Sequence, residues 1–267
     1  MKYPSQIFYM IDIACNEKCI KCSHWTYKSV KNIDIECVIK FVNSIKSANE
    51  LCIVGGEPLI YKKDIELLIK SILNNIRVVM ITNGVMANCD FLEFIANKNV
   101  HIVFSIDTLD RIFWKLVRGK DTYDIVMDNF NIARKILNPT QLSVQSVLSK
   151  ETQTHIAEVG EMCKKYGIFH SIQNYIDDFN GKWTKCEYTA TDSPIKYTCQ
   201  AYKQNLSIMP NGDVKTCFQQ EKIDGCSHPI GHINENPNKI LEKVYTKFVI
   251  EKMKKCDLPC KVLKCNQ

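Results

Sequence analysis

Residues 7–22 read IFYMIDIACNEKCIKC, an apolar run that leads directly into three closely spaced cysteines. The apolar part, IFYMIDIA at 7–14, predicts a buried β-strand. Cys15, Cys19 and Cys22 follow at CxxxCxxC spacing, which places three thiols on one tight loop at the end of that strand. Three thiolates on such a loop can hold three irons of a [4Fe–4S] cubane and leave the fourth iron open to an outside ligand.

Zinc is the alternative occupant of this loop. Structural zinc needs four closed ligands, and His24 can supply the fourth, so the motif alone does not exclude it. Three unliganded thiols on an exposed loop are a poor third interpretation, because such thiols would oxidise.

The segments that follow the first strand alternate between two kinds of periodicity. Apolar runs rich in Ile, Val and Phe predict five more buried strands, at 50–56, 76–82, 100–107, 141–148 and 168–176. Helical spacing of apolar residues predicts helices between them, at 34–48, 64–73, 91–96, 124–137 and 155–166. Six alternations imply parallel strands joined by right-handed crossovers. The expected fold class is α/β, a partial (β/α)6 TIM-like barrel.

In a fold of this kind the chemistry lies at the carboxyl ends of the strands. The unusual residues of the sequence do follow the strands. The cysteine triplet follows strand one, Gly55-Gly56-Glu57-Pro58 follows strand two, Thr82-Asn83-Gly84 follows strand three, and Ser105 and Asp107 end strand four. We therefore expect these residues to meet at one edge of the sheet.

The pattern changes after residue 176, and we place a domain boundary near residue 180. Residues 1–178 would form the partial barrel, and residues 179–267 a small cysteine-rich extension. NLSIMPNGDVKTC predicts two short strands around a turn at 211–213, and a single amphipathic helix is expected at about 239–254.

The composition narrows the function classes. Fourteen cysteines in 267 residues is a large number for a chain without a signal peptide, so metal binding, catalysis or burial is expected in place of disulfides. Cys37, Cys52, Cys89 and Cys163 are isolated and are expected in the core. No apolar stretch is long enough to cross a membrane, so a cytoplasmic location is expected. The net charge of +6 is thinly spread, so the basic residues are interpreted as a solvated surface and a nucleic-acid partner is the less expected alternative; the charge would suit an anionic small substrate equally well.

The CxxxCxxC motif, followed by GGEP at the end of the next strand, resembles the radical S-adenosylmethionine (SAM) superfamily. The resemblance covers residues 7 to about 176 and extends into the tail. It implies that Cys15, Cys19 and Cys22 hold a [4Fe–4S] cluster whose open iron binds the amino and carboxylate groups of SAM. It also implies a 5′-deoxyadenosyl radical that abstracts hydrogen from a substrate, with the protein orienting the cofactor and excluding water.

Further positions match residues that bind SAM in this family. Gly55-Gly56-Glu57-Pro58 would receive the methionine amino group through its backbone and its glutamate. Ser105 and Asp107 match strand-four positions that reach the ribose or the carboxylate. The remaining matches are Arg118 of an RG pair near the carboxylate, Gln145 and Ser146 on strand five, and Asn174 on strand six.

One position departs from the family pattern. The residue before the last cysteine of the motif is commonly aromatic in the family and packs on adenine, but this chain has Lys21 there. Trp25, four residues later, is the candidate substitute.

A second group of cysteines lies in the tail. Cys199 and Cys217 flank the hairpin, and Cys256, Cys260 and Cys265 follow near the C-terminus. This resembles the SPASM and twitch extensions of the superfamily, and implies one auxiliary [4Fe–4S] cluster on the two hairpin cysteines and two of the last three. Zinc on the same thiolates is the runner-up.

The short chain favours oxidation or modification of a small polar molecule. Strand one begins near residue 7, so no leader-binding domain is expected before it, and a maturase of ribosomal peptides would need a separate recognition partner. An electron donor, either a reductase or a flavodoxin or ferredoxin, is also implied. A zinc-bound protein without enzymatic activity is the third alternative.

Overall fold

A single β-sheet organises the computed structural model, which describes residues 4–22, 24–174, 204–217 and 229–244. Within those residues the strands are β1 Gln6–Met10, β2 Glu50–Val54, β3 Arg77–Thr82, β4 Val100–Ser105, β5 Leu142–Leu148, β6 Phe169–Asn174, β7 Asn205–Ile208, β8 Asp213–Lys215 and β9 Gly231–His232. The helices are α1 Ile35–Ser44, α2 Lys62–Ser71, α3 Cys89–Ile95, α4 Arg111–Arg118, α5 Tyr123–Ile136, α6 Gln153–Tyr166 and α7 Pro237–Val244.

The sheet is open and mostly parallel. Its strand order is β6-β5-β4-β3-β2-β1-β7-β8-β9, and every pair from β6 to β7 is parallel, whereas β8 and β9 run antiparallel. The six alternating units and the partial, unclosed barrel expected from the sequence are therefore confirmed. All six predicted strands overlap observed ones, and all five predicted helices of this region are present.

Each strand presents alternate residues to the two faces of the sheet, and the larger core lies on one of them. Ile7 and Tyr9 of β1 pack into this core with Trp114 of α4, all fully buried. The other face carries a smaller apolar cluster of Phe8, Cys52, Val79 and Val103. This second face lines the inside of the curved sheet, where a barrel of this class holds its ligands.

Local signals in the sequence explain the ends of the helices. The Asp34 and Asn88 side chains accept hydrogen bonds from the backbone of the first turns of α1 and α3. Gly167 ends α6 in the left-handed conformation, as its position predicts. α4 was not expected from the sequence, although Asp110 caps it in the same manner.

The isolated cysteines divide between core and surface. Cys52 and Cys163 are buried, and Cys37 packs against the edge of the core, as predicted. Cys89 was wrongly assigned to the core, because it begins α3 and its thiol lies 3.4 Å from the Glu93 carboxylate on the exposed side.

The hairpin after the barrel joins the same sheet. β7 pairs in parallel with β1, and Leu206, Ile208 and Val214 are fully buried in the main core. Gly212 makes the predicted turn with a φ of +87°, and a Cβ there would lie 2.4 Å from Ile33 Cδ1. The expected tail helix begins at Pro237.

Candidate active site at the carboxyl edge of the sheet

The three cysteines of the CxxxCxxC motif lie on the loop that follows β1. Cys19 is buried, Cys15 and Cys22 are half-buried, and the Cys22 N–H donates to the Cys19 carbonyl over 3.1 Å. Burial raises the pKa of Cys15 to about 12 and that of Cys19 to about 11. The three thiols thus lie on one loop, with one of them buried and two partly exposed.

No three ligand side chains in the described part of the chain converge tightly enough to enclose a metal ion. A [4Fe–4S] cubane does not need such convergence on one ion, because each thiolate binds a different iron. Iron must still displace the protons that burial favours on Cys15 and Cys19.

The two glycines after β2 dock directly on the strand that leads to the cysteines. Gly56 N–H donates to the Asp12 carbonyl and Glu57 N–H to the Ala14 carbonyl, each over 2.9 Å. A Cβ on Gly56 would lie 2.1 Å from the Ala14 oxygen, and one on Gly55 would lie 2.4 Å from the Asp12 oxygen. Only glycine permits this approach, so the GGEP segment and the cysteine loop form one unit.

Glu57 is buried at the point where β2 and β3 end. Its carboxylate accepts hydrogen bonds from Leu59 N at 2.9 Å, Thr82 Oγ1 at 2.7 Å and Asn83 N at 2.7 Å. Pro58 begins the short 3-10 helix that this carboxylate caps. Burial raises the pKa of Glu57 to about 7, although the three donors act in the opposite direction. The carboxylate therefore links the ends of two strands behind the cysteine loop.

Asn83 extends this contact to the cysteines themselves. Its side-chain nitrogen lies 3.9 Å from Cys15 Sγ and 2.7 Å from the Asn16 side-chain oxygen. The structure therefore brings the ends of strands one, two and three together, as the sequence predicts.

A buried arginine connects the cysteine loop to β4. Arg118 Nη1 lies 3.9 Å from Cys19 Sγ and 3.8 Å from a Glu17 carboxylate oxygen, and Nη2 lies 3.4 Å from Asp107 Oδ2. Nη2 also donates to the Ser105 carbonyl. Burial alone would lower the pKa of Arg118, but the acidic groups around it raise it above its usual value. The guanidinium is a permanent positive charge beside the cysteines.

The Lys21 ammonium forms an ion pair with the same Asp107 carboxylate. Burial alone would raise the pKa of Asp107, but Lys21 and Arg118 hold it below its usual value. Asp107 Oδ1 also accepts from Val147 N at 2.8 Å, so this carboxylate joins the cysteine loop to β4 and β5. Lys21, the departure from the family pattern, is thus held by a residue of the same site.

Trp25 lies against the cysteine loop. Its indole N–H donates to the Cys19 carbonyl over 3.2 Å, and 40% of its surface is exposed. Lys18 approaches the ring, with Nζ 6.0 Å from the centroid. The ring is therefore fixed beside the cysteines while much of it remains open to a ligand.

The three weaker matches on β5 and β6 lie in different surroundings. Ser146 is fully buried, and its hydroxyl contacts the Ile106 carbonyl and His170 Nε2, away from the cysteine loop. Gln145, its neighbour, pairs with Ser105 of β4 on the inner face, and its Nε2 donates to Gln173 over 2.6 Å. The backbone of Asn174 pairs with Leu148 at the end of β6.

Sequence reasoning missed two acidic residues of the site. Glu17 is 1% exposed and accepts from Thr122 Oγ1 at 2.5 Å besides its contact with Arg118. Asp12 is equally buried, and accepts from the N–H groups of Ile13 and Val30 and from the Tyr61 hydroxyl. For Glu17 and Asp12 alike, the only signal in the sequence was an acidic residue close to the metal-binding motif.

These residues fit a [4Fe–4S] cluster. Three thiols lie on one loop, and Lys21 and Arg118 supply two cations that offset the negative charge of a thiolate-ligated cluster. Arg118 Nε is buried and has no hydrogen-bond partner within the described residues, so the guanidinium retains donor capacity. Gly55 and Gly56 hold the GGEP segment directly against the cysteine loop.

The tail cysteines are only partly described. Cys217 follows β8 and is buried, at 7% exposure. Cys199, Cys256, Cys260 and Cys265 lie outside the described residues. Among the described helices, none combines the length and the apolar character needed to span a membrane.

Comparison with known proteins extends these observations. A probable GTP 3′,8-cyclase of Pyrococcus abyssi (strain GE5 / Orsay) is 25% identical over 134 residues, or 49% of this chain and 44% of that protein. The chain thus spans less than half the length of this curated relative.

Two solved structures share the fold. Streptococcus suis SuiB bound to its precursor peptide SuiA superposes with a TM-score of 0.77 at 17% identity, covering 96% of this chain and 68% of SuiB. The enzyme anSMEcpe, with bound AdoMet and the Cp18Cys peptide, superposes with a TM-score of 0.68 at 18% identity, covering 93% of this chain and 82% of that one. Residues 13–168, which carry the cysteine loop, the GGEP segment and Arg118, match the radical SAM superfamily, and the chain belongs to that superfamily.

Proposed function

We propose that this radical SAM enzyme binds its cluster through Cys15, Cys19 and Cys22 and removes a hydrogen atom from a peptide substrate. The observation that carries the proposal is the docking of GGEP on the cysteine loop, with the Arg118 guanidinium 3.9 Å from Cys19. When bound, the cluster and SAM supply one-electron cleavage of a sulfonium bond and hydrogen-atom abstraction.

The residues of the site divide the work of binding. Gly55 and Gly56 hold their segment against the cysteine loop, and Glu57 and Pro58 fix its end, so that this segment would receive the methionine amino group. Ser105 and Asp107 stand at the end of β4 for the ribose or the carboxylate. Arg118 places its positive charge beside Cys19, where it would be near the SAM carboxylate. The Trp25 ring beside the loop offers a face on which adenine would pack.

The inner face of the sheet keeps water away from the reacting atoms. Val54 and Ile81 pack over the apolar cluster around Phe8, directly below the ends of the strands. A carbon radical needs an apolar surface of this kind beside it, because bulk water and exposed polar groups would permit side reactions.

Two observations bear on the substrate. The folds of SuiB and anSMEcpe, both solved with peptides, extend over more than nine-tenths of this chain. This supports a peptide in place of the small polar molecule that was expected from the sequence. A small polar molecule is the second candidate, since the curated relative is named for an activity on GTP.

We also propose that residues 179–267 form the auxiliary-cluster domain. Cys199 and Cys217 would supply two ligands, and two of Cys256, Cys260 and Cys265 would supply the rest. The buried thiol of Cys217 at the end of β8 supports this assignment. Zinc on the same thiolates is the alternative.

Anaerobic reconstitution tests the proposal. About eight irons per chain are expected, falling to about four when Cys15, Cys19 and Cys22 are changed to Ala. Dithionite should drive 5′-deoxyadenosine formation only in the unsubstituted protein. Four irons in the unsubstituted protein and none in the variant would contradict the auxiliary cluster but support the radical SAM site. Retained zinc, with neither iron nor deoxyadenosine, would contradict the proposal.

The substrate class needs its own comparison. Deoxyadenosine formation should rise with a precursor peptide encoded near the enzyme and should be unaffected by GTP or aminocyclitols. Deuterium transfer from labelled peptide into deoxyadenosine would identify the hydrogen donor. Stimulation by the small molecules alone would favour the second candidate.

A further inference from the structure

The outer face of α4 exposes two large apolar side chains. Ile112 is 85% exposed, the highest value for a large apolar residue in the described part of the chain, and Leu116 is 59% exposed. They lie four residues apart and therefore share one face of the helix. Trp114 and Val117, on the opposite face, are fully buried. An exposed apolar pair of this kind on a well-anchored helix marks a contact surface.

The pair lies in a shallow depression of about 450 Å³. Its walls are Arg111, Ile112, Lys115, Leu116 and Asp121. The depression is open to solvent and surrounded by charged side chains. An apolar centre with a polar rim is the usual composition of a protein–protein interface.

The charges around the last turn of α4 are mostly positive. Lys18, Lys115 and Lys120 are all exposed. Arg111 is neutralised by its ion pair with Asp124. One acidic side chain, Asp121, lines the depression, so the three lysines leave this surface with a net positive charge. A partner for it should be acidic.

This surface leads directly to the cysteine loop. Lys18 N–H donates to the Arg118 carbonyl and Ile20 N–H to the Val117 carbonyl, each over 3.0 Å. Cys19 lies between these two residues of the loop, and the Arg118 side chain returns to within 3.9 Å of its sulfur. A protein seated on the outer face of α4 would therefore be separated from the cysteine loop by this helix.

We propose that α4 and the adjoining lysines form the docking surface for a flavodoxin, an acidic one-electron carrier. The apolar edge of its flavin would meet Ile112 and Leu116, and its carboxylates would meet Lys18, Lys115 and Lys120. One electron passes from the flavin hydroquinone, which is oxidised to the semiquinone, to the cluster on Cys15, Cys19 and Cys22, which is reduced. This inference rests on the proposed function, because it needs a cluster to accept the electron.

The test uses the reconstituted full chain and a matched pair of double variants. Ile112→Ser with Lys115→Glu changes the proposed surface. Leu67→Ser with Lys70→Glu makes the same changes at the same spacing on α2, where Leu67 is 41% exposed. All four residues are exposed, so both variants should fold and keep their iron.

Flavodoxin binding, measured by titration calorimetry, should weaken roughly tenfold or more in the α4 variant and stay unchanged in the α2 variant. Deoxyadenosine formation driven by reduced flavodoxin should fall in parallel, whereas formation driven by dithionite should not. Binding by the unsubstituted protein should also weaken as salt is raised.

Equal flavodoxin affinity of the two variants would overturn the proposal. It would also be overturned if the α4 variant lost affinity for a ferredoxin but not for flavodoxin. Loss of a precursor peptide from the α4 variant, with flavodoxin retained, would assign this surface to the substrate. A failure of the proposed function is distinguishable, because the unsubstituted protein would then make no deoxyadenosine even with dithionite.

Discussion

Arg118 Nη1 lies 3.9 Å from the sulfur of Cys19, although 99 residues separate the two in the sequence. The contact brings a permanent cation from the end of α4 to the loop that follows β1. Since Asp107 and Glu17 flank the same guanidinium, the arginine holds two buried carboxylates as well as the cysteine. Several expected outcomes follow from this arrangement and its surroundings.

Arg118→Met should destabilise the apoprotein by about 3–5 kcal/mol, because it leaves the buried Glu17 carboxylate without its cation and leaves Asp107 with Lys21 alone. Arg111→Met on the same helix is the matched control. Arg111 pairs with Asp124 at 57% exposure of both side chains, so its loss should cost no more than about 1 kcal/mol. Urea unfolding of both variants measures the difference, and similar midpoints would contradict the importance of the buried pair.

Gly56→Ala should separate the GGEP segment from the cysteine loop, since its Cβ would lie 2.1 Å from the Ala14 carbonyl oxygen. We expect reconstituted iron at this site to fall severalfold and the thermal midpoint to drop. Gly160→Ala is the control, because it lies within α6 and its Cβ would meet His170 at an ordinary 3.4 Å. That change should raise stability by about 0.5–1 kcal/mol. Equal iron content in the two variants would count against the docking.

Trp25→Ala should weaken SAM binding by about tenfold, as expected for removal of a stacking ring. Trp25→Phe keeps a ring face and loses only the hydrogen bond to the Cys19 carbonyl, so it should restore most of the affinity. Equilibrium dialysis against labelled SAM measures both variants. If alanine and phenylalanine bind SAM alike, the ring is not the adenine contact.

Asp12 should make the apoprotein sensitive to acid. Burial alone would raise the pKa of Asp12, but hydrogen bonds from Ser29, Tyr61 and the N–H groups of Val30 and Ile13 lower it below its ordinary value of 3.8. A carboxyl whose pKa is lower in the folded state contributes stability above the unfolded pKa. That contribution is lost as the pH falls through the folded pKa.

Asp12→Asn tests this dependence. The variant should be less stable than the unsubstituted protein at pH 7, and the difference should shrink as the pH falls below about 4. Chemical unfolding at a series of pH values measures it. A difference that is constant with pH would assign the effect of Asp12 to packing alone.

The barrel could be predicted because its signals are local. Most strands are short runs of apolar residues that are largely buried, and each predicted helix has an apolar stripe. Three of the five predicted helices also have a cap, at Asp34, Asn88 and Gly167. Residues near the ends of β1, β2 and β3 were correctly expected to meet, since parallel strands end at one edge. Gln145 and Ser146 show the limit of this reasoning. Adjacent residues of a strand point to opposite faces of the sheet, and only the register with β4 shows that Gln145 lies on the inner face.

The rest depended on contacts between distant residues. α4 escaped prediction because Ile112 and Leu116 face solvent, which obscures the apolar stripe that normally identifies a helix. The pairing of Lys21 with Asp107 joins residues that are 86 positions apart, and no local pattern indicates it. Likewise, nothing in the four residues of β7 indicates that this strand pairs in parallel with β1.

The position of β1 between β2 and β7 has a consequence for biosynthesis. Ile7 is made long before Leu206, its neighbour in the sheet. During translation β1 therefore acquires its partner β2 early and waits for β7 until about 150 more residues have been made. In that interval its open edge can pair with another nascent chain. A product truncated before residue 205 would keep the cysteine loop, and it should aggregate through β1.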